Sequence, residues 1–358
     1  YEETTMRANV DELGALKLRQ RVLRDVSALD LTTTVLGQEL AMPVILGPVG
    51  LAGMFAQRAE VQAAKAAAAA GIPFTESTVS IAGIEEVRAA SPTPFWFQLY
   101  VMRDRSYAEG LMARAAKAQC PVLVLTVDLA VVGARYRDTR NAMVGTVGSF
   151  VSARRGLDLV SHPRWLRDVA IGGKPHTFGN LEDAVPDADS PAGFKEWVDG
   201  QFDPSVTWDD LAWVREHWDG PLVLKGVLDA DDARRAADLG VEALVVSNHG
   251  GRQLDDTPAT VSALPPIVDA VGDQLEVLVD GGIRSGLDVV KVLALGAKAC
   301  LLGRAWAYAV AGDGQRGVEH VLRIIREEME VAMSLAGTSR VADITEDVLV
   351  GGRPATQG

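Results

Sequence analysis

A closed (β/α)8 barrel of the α/β class is predicted by three features of the sequence. Eight short runs rich in Val, Ile and Leu punctuate its 358 residues, helical patterns separate them, and glycines close several helices just before the next run. The runs are 44–46, 73–75, 95–99, 122–126, 222–224, 243–247, 276–279 and 299–302. Each is short and almost continuously apolar, as expected of parallel strands buried on both faces. Segments 58–70, 106–118, 229–239 and 287–295 are amphipathic or Ala-rich at helical spacing. Gly71, Gly240 and Gly296 each stand between a helix and the strand that follows, where glycine lets the chain leave the helix in a left-handed conformation. An open doubly wound sheet is the competing architecture, but no G-x-G-x-x-G follows an early strand.

The whole chain, 1–358, is expected to form one barrel with a single interruption. From 143 to 205 no strand–helix unit appears, and Gly, Pro and Asp cluster. So long a connection is placed between the fourth and fifth strands, as a lid over the catalytic mouth. Composition is that of an ordinary globular protein, 48% hydrophobic and 23% charged, and the net charge of −13 excludes nucleic acid as a natural partner. No apolar stretch is long enough to cross a bilayer. The two cysteines, Cys120 and Cys300, abut apolar runs and read as buried thiols, with no metal site. Cytoplasmic residence is expected. The chain begins at Tyr1 without an initiator Met or signal peptide, so further residues are expected upstream.

In such a barrel the reactive groups sit where strands end, on the C-terminal face. The first strand ends in Gly47-Pro48-Val49-Gly50, the second in Glu76-Ser77-Thr78, the third in Gln98-Leu99-Tyr100 and the fourth in Thr126-Val127-Asp128. The fifth gives Lys225-Gly226, the sixth Ser247-Asn248-His249-Gly250-Gly251-Arg252, the seventh Asp280-Gly281-Gly282-Ile283-Arg284 and the eighth Gly303-Arg304. Glycines beside arginines after the last two strands point to a phosphate-bearing ligand: bare amides approach the anion and guanidiniums neutralise it. Lys225, ending a buried strand, needs an anion nearby. His249 can take a proton near neutral pH, and Asp128 could hold its other ring nitrogen. Tyr100 supplies a hydroxyl, and Arg135 and Arg252 supply forks suited to a carboxylate. Base, carboxylate clamp and phosphate-anchored cofactor describe oxidation of a 2-hydroxy acid; from the residues alone, an isomerase or aldolase stays open beside it.

The run Ser247-Asn248-His249-Gly250-Gly251-Arg252-Gln253-Leu254-Asp255 resembles the FMN-dependent 2-hydroxy-acid dehydrogenase and oxidase family, and the likeness extends from about Thr5 to Leu349. Within it, Leu18-Arg19-Gln20-Arg21, Trp96-Phe97-Gln98-Leu99-Tyr100, Gly133-Ala134-Arg135-Tyr136-Arg137-Asp138 and Phe202-Asp203-Pro204-Ser205 look most like the bacterial respiratory, quinone-linked L-lactate dehydrogenases. The resemblance implies FMN as cofactor and L-lactate oxidised to pyruvate. It makes His249 the base, Asp128 its partner, Tyr100 a hydrogen bond to the substrate hydroxyl, and Arg135 and Arg252 the grip on the carboxylate. It places Lys225 at the flavin edge where charge appears on reduction. Pro48, Val49, Gly50, Ser77, Gln98, Thr126 and Ser247 are implied around the flavin, Asp280 at the ribityl chain, and Gly281, Gly282, Arg284, Gly303 and Arg304 at the phosphate. A homotetramer is implied as well.

Two departures stand out. The family's N-terminal substrate-binding tyrosine falls before Tyr1, and Glu76 occupies a usually apolar position, where it is expected to be a salt-bridge partner, the alternative being a carboxylate that opposes reduction of the flavin. Gly50 favours passing electrons to a quinone or another carrier, since relatives with Ala there are often oxidases that use O2. Val79, where glycolate oxidase has Trp, leaves room for side chains larger than glycolate's, so mandelate and longer 2-hydroxy acids remain alternatives. A non-catalytic FMN-binding barrel would need none of His249, Asp128, Tyr100 and Lys225. Finally, 150–176 carries Arg154, Arg155, Arg164, Arg167 and Lys174 against Asp158 and Asp168, interleaved with Leu159, Val160, Trp165 and Leu166. A basic segment with an aromatic anchor can rest on an anionic membrane, so weak peripheral contact at the inner face is a further expectation, against a simple solvated lid.

Overall fold

The computed structural model describes residues 1–141, 161–173, 179–181 and 200–353. Eight parallel strands form the sheet: β1 Val44–Leu46, β2 Thr75–Ser77, β3 Trp96–Leu99, β4 Leu123–Thr126, β5 Leu222–Val227, β6 Ala243–Val246, β7 Glu276–Val279 and β8 Ala299–Leu302. They pair in chain order from β2 to β8, and β8 pairs with β1, Leu302 opposite Leu46. The ring closes where Leu46 bridges Phe74, its N–H donating to the Pro73 carbonyl at 2.9 Å. The second strand begins two residues later than expected. Proline has no N–H to give a ladder, and Pro73 serves the closure through its carbonyl alone.

The period of two sorts the strand residues. Ile45, Trp96, Val124, Val223, Val245, Leu278 and Leu301 point into the barrel and are buried against one another. Val44, Leu46, Phe97, Leu123, Leu125, Leu224, Leu244 and Leu302 point out, beneath the helices. A small antiparallel hairpin, Thr33–Val35 with Gln38–Leu40, adds Val35 and Leu40 to the interior cluster.

The outer helices include α1 Thr4–Ala15, α2 Ala59–Ala70, α3 Ile84–Ala90, α4 Arg105–Lys117, α5 Asp210–His217, α6 Ala230–Asp238, α7 Thr260–Val271, α8 Gly286–Ala294 and α9 Arg304–Ala336, the last broken at Asp313-Gly314. Gly71, Gly240 and Gly296 have φ of 67°, 74° and 103°, the left-handed turns the sequence required. Cys120 and Cys300 are buried free thiols, as expected.

Of the connection after β4, 142–160, 174–178 and 182–199 lie outside the described residues. Its described portion around Trp165 is tied to the loop after β1, Trp165 Nε1 donating to Met54 O at 2.9 Å and Gln57 Nε2 to Gly172 O at 3.0 Å.

Candidate active site

The strand period that builds the apolar interior also builds the layer above it. Two residues beyond these seven inward side chains, and beyond Thr75 in β2, stand Gly47, Ser77, Gln98, Thr126, Lys225, Ser247, Asp280 and Gly303, toward the C-terminal mouth. The top of the barrel is therefore polar or bare where the layer below, Thr75 apart, is apolar. Ser77 Oγ donates to Gln98 Oε1 at 3.1 Å, while Gln98 Nε2, Thr126 Oγ1 and Asp280 Oδ1 are buried without a partner among the described residues. Each such orphan costs about 1–3 kcal/mol unless something outside the chain satisfies it. Lys225 Nζ pairs with Asp280 Oδ2 at 2.9 Å and donates to Ser247 Oγ at 2.9 Å. Burial alone would lower the Lys225 pKa, but the charges of Asp280 and Asp128 outweigh it and hold the ammonium above its ordinary value.

At one side of this layer, two guanidiniums lie close together without a carboxylate. Neither Arg284 nor Arg304 makes an ion pair among the described residues; Arg284 Nη1 donates to Ile283 O at 2.7 Å and Arg304 Nη2 to Gly250 O. Burial lowers the pKa of both, and Arg284 lowers that of Arg304 further. A Cβ on Gly250 would come within 2.6 Å of Arg304 Nη2, whereas one on Gly303 would meet nothing within 4 Å. Gly303 stands at the N-terminus of α9, so open space, helix amides and two unpaired cations coincide, a setting for phosphate. Gly281 and Gly282 have a second duty. Both are at positive φ, and a Cβ on Gly282 would lie 2.2 Å from Asn9 O in α1. Flavin mononucleotide fits these residues: the orphaned polar atoms suit the ring and ribityl chain, and the arginine pair suits the phosphate.

At the rim, His249 Nδ1 bonds Asp128 Oδ1 at 2.9 Å. Burial acts to raise the Asp128 pKa, but the charge and hydrogen bond of His249 and the charge of Lys225 win, and the carboxyl is held below its ordinary value. His249 itself is at φ 58°, a strained conformation for a residue with a Cβ, and its N–H is fastened to Ser247 Oγ at 3.0 Å. Tyr100, Arg135 and Arg252 surround the pair. Burial and the Asp128 charge push the Tyr100 hydroxyl up, with Arg135 and Arg252 pulling the other way, so the phenol stays protonated and can donate. Arg135 Nε donates to Arg252 O at 3.2 Å, and Arg252 Nη2 lies 3.4 Å from Asp138 at the open edge. Pro48, Val49 and Gly50 are half-buried in the loop after β1. A Cβ on Gly50 would sit 2.5 Å from Val79 Cγ2, so alanine there requires Val79 to shift.

All the site residues expected from sequence thus gather on one face. Comparison with known proteins decides the family, because the FMN-dependent dehydrogenase profile matches residues 1–351. The chain belongs to that family. This FMN-dependent dehydrogenase is 54% identical over 349 residues to an L-lactate dehydrogenase of Caulobacter vibrioides (strain NA1000 / CB15N), covering 98% of this chain and 90% of the relative. It is 52% identical over 350 residues to an L-lactate dehydrogenase of Ectopseudomonas mendocina (strain ymp), covering 98% and 92%. Among solved structures, the monotopic membrane protein (S)-mandelate dehydrogenase superposes with a TM-score of 0.89 at 35% identity, covering 98% of this chain and 92% of that one. Mandelate oxidase with benzoyl-formic acid gives 0.78 at 36% identity, covering 98% and 90%.

Three features of the site differ from the sequence reading or escape it. Glu76 points away from the interior and makes no ion pair among the described residues. Its Oε1 accepts from Asn180 Nδ2 at 3.1 Å and burial raises its pKa above the ordinary value, so it is held by a neutral hydrogen-bond donor and not by a salt bridge. Trp165, expected as a membrane anchor, is turned toward the barrel by its bond to Met54. The third feature is α1, which the sequence did not announce. Its buried face is Thr5, Asn9 and Leu13, two polar residues of three, so no apolar period betrays it. Asn9 exchanges hydrogen bonds with Asn248, at 2.8 and 2.9 Å, directly beside His249. Asp255 accepts from the N–H of Thr5 at 2.9 Å, supplying the helix N-terminus with a cap from another loop.

Proposed function

We propose that this chain oxidises L-lactate to pyruvate and passes the electrons from FMN to a quinone or another carrier. The observation that carries the reading is the convergence of an Asp128–His249 pair, a protonated Tyr100 and two arginines beside the cofactor layer, in a chain 54% identical to a named L-lactate dehydrogenase. Arg135 and Arg252 bind the lactate carboxylate, and two guanidiniums fix the molecule's orientation better than one ammonium could. Tyr100 donates to the α-oxygen. With Nδ1 held by Asp128, Nε2 is the nitrogen of His249 left to take a proton from substrate, and Asp128 stabilises the imidazolium that results. FMN, when bound, supplies the acceptor for the two electrons released from the α-carbon. Lys225 presents a fixed positive charge at the same layer, and Ser77, Gln98, Thr126, Ser247 and Asp280 complete the cofactor's surroundings, with Pro48, Val49 and Gly50 on the facing loop.

The structural neighbours favour one alternative substrate, (S)-mandelate, though at 35% identity. Anaerobic mixing separates the two: L-lactate is expected to bleach the flavin absorbance within the turnover time, and (S)-mandelate far more slowly. Bleaching by mandelate alone would reassign the substrate. Steady-state assays with quinone, dye and O2 as acceptors then read the electron exit, with little hydrogen peroxide expected in air.

Membrane contact through the connection after β4 belongs to the same proposal. No helix among the described residues is long and apolar enough to span a bilayer. Arg164 and Arg167 are exposed, although Arg167 pairs with its neighbour Asp168 at 2.6 Å, and Ile171 is 79% exposed. Arg154, Arg155 and Lys174 lie outside the described residues. Ile171 replaces Trp165 as the apolar contact. Weak binding to anionic liposomes is expected, diminishing as salt shortens the Debye length below ~10 Å. It should be lost when Arg154, Arg155, Arg164 and Arg167 become Ser; equal sedimentation of parent and variant at low salt would remove the segment from any membrane role.

A further inference from the structure

One buried side chain joins the two loops assigned to the chemistry; it hydrogen-bonds Arg135 and the backbone of Asp128 but neither His249 nor any residue of the cofactor layer. Gln253, only 8% exposed, lies on the loop after β6, four residues beyond His249 and next to Arg252. Its Nε2 donates both hydrogens into the loop after β4, to Asp128 O at 2.8 Å and Val131 O at 2.9 Å. Its Oε1 accepts from the same loop twice, from Gly133 N at 3.2 Å and Arg135 Nη2 at 3.3 Å. A primary amide has two donors and room for two acceptances, and all four are used. The packing around this bracket is close, since a Cβ on Gly133 would meet Arg252 O at 2.5 Å and Gln253 Cα at 2.8 Å.

We infer that Gln253 is a positioning residue for the reaction: it fixes the β4 loop, with Asp128 and Arg135, against the β6 loop, with His249 and Arg252. This rests on the roles given to those four residues above. The Nε2 half of the amide sets the backbone of Asp128 and thereby the carboxylate that orients His249. The Oε1 half sets the guanidinium of Arg135 relative to Arg252. Both relationships are between loops, where rigid strands and helices cannot enforce them. A side chain with any free hydrogen-bonding position could slide; this one cannot move without leaving a buried polar group unpaired.

The two halves can be separated by substitution. Gln253→Met keeps the length and removes all four bonds, so kcat for L-lactate should fall and KM rise, each by about ten-fold or more, because displacing reacting groups by ~1 Å costs on the order of 10² in rate. Gln253→Glu keeps acceptors for Gly133 and Arg135 but has no donor for Asp128 O and Val131 O. There kcat should fall as far while KM rises much less. FMN affinity of both variants should stay within about two-fold of the parent, since Arg284, Arg304, Gln98 and Thr126 do not contact Gln253. The cycle is closed with Arg135→Ala: added to it, Gln253→Met should raise KM much less than it does in the parent, as expected for residues acting through one another. Should Gln253→Met not yield folded protein, Gln253→Glu and its cycle with Arg135→Ala decide the matter. If Arg135→Ala leaves the lactate KM unchanged, the carboxylate fork is wrong and the bracket falls with it. If Arg135→Ala raises KM while both Gln253 variants keep kcat and KM within two-fold, or lose FMN in proportion to activity, the bracket alone is overturned.

Discussion

Replacing His249 with Gln should leave a yellow, FMN-loaded protein whose turnover with L-lactate is lower by a factor of roughly 10² or more, the usual scale for loss of a general base. The cofactor is expected to stay because the orphaned polar atoms of Gln98, Thr126 and Asp280, and the guanidiniums of Arg284 and Arg304, do not depend on the imidazole. The same substitution should be visible in acid denaturation. His249 holds the Asp128 pKa down against burial. A carboxyl with a depressed native pKa contributes stability that is present above its unfolded value and lost as pH falls through the native one. Without the imidazole, burial is opposed mainly by Lys225, the native pKa rises, and that contribution shrinks. The variant should therefore unfold at a higher pH than the parent during acid titration. Near-native flavin reduction by lactate in this variant would sink the proton-transfer assignment, and an unchanged acid midpoint would sink the electrostatic account of Asp128.

How much of this was readable from residue order follows from the barrel's geometry. In a closed parallel sheet the side-chain period is two, so an apolar run names its inward positions, and the residue two steps beyond the last of them must line the mouth. Ser77, Gln98, Thr126, Lys225, Ser247, Asp280 and Gly303 fall out of that rule, and the structure brings all seven into one layer. The loop residues to which the proposed chemistry is assigned, His249, Asp128, Arg135 and Arg252, are legible only by type and by resemblance, because no period governs a loop. What stayed hidden was whatever depends on contacts between distant segments. Asn9 reaches Asn248 across 239 residues, and a helix whose buried stripe is Thr5-Asn9-Leu13 gives no apolar signal. Gln253 lay in plain view inside the nine-residue signature, but only coordinates show that its amide serves the other loop. Glu76 shows why a charge in the sequence does not reveal its surroundings: buried, with Asn180 as its hydrogen-bond donor and no cation paired to it among the described residues, its charged form is disfavoured.

The arginine pair offers the sharpest test of where the cofactor's phosphate sits. Arg284→Ala and Arg304→Ala should each weaken FMN binding to apoprotein by about 10- to 100-fold, since a hydrogen bond to a charged group contributes ~1.5–3 kcal/mol and every 1.4 kcal/mol is ten-fold. The two variants should then differ when saturated with FMN. Arg284 is fastened to the carbonyl of its own neighbour, Ile283, so its loss disturbs nothing beyond the phosphate end. Arg304 donates to the carbonyl of Gly250, the residue after His249, and Gly250 has no Cβ to keep it away. Its removal unties the β6 loop from the start of α9. At saturating FMN, Arg284→Ala should recover near-parent kcat, whereas Arg304→Ala should remain several-fold slower, with lactate KM little changed in either. Flavin fluorescence during titration of apoprotein gives the affinities, and turnover of the reloaded enzymes gives the rest. Unchanged FMN affinity in both variants would place the phosphate elsewhere. Full recovery of kcat by reloaded Arg304→Ala would show that its bond to Gly250 does nothing for the base.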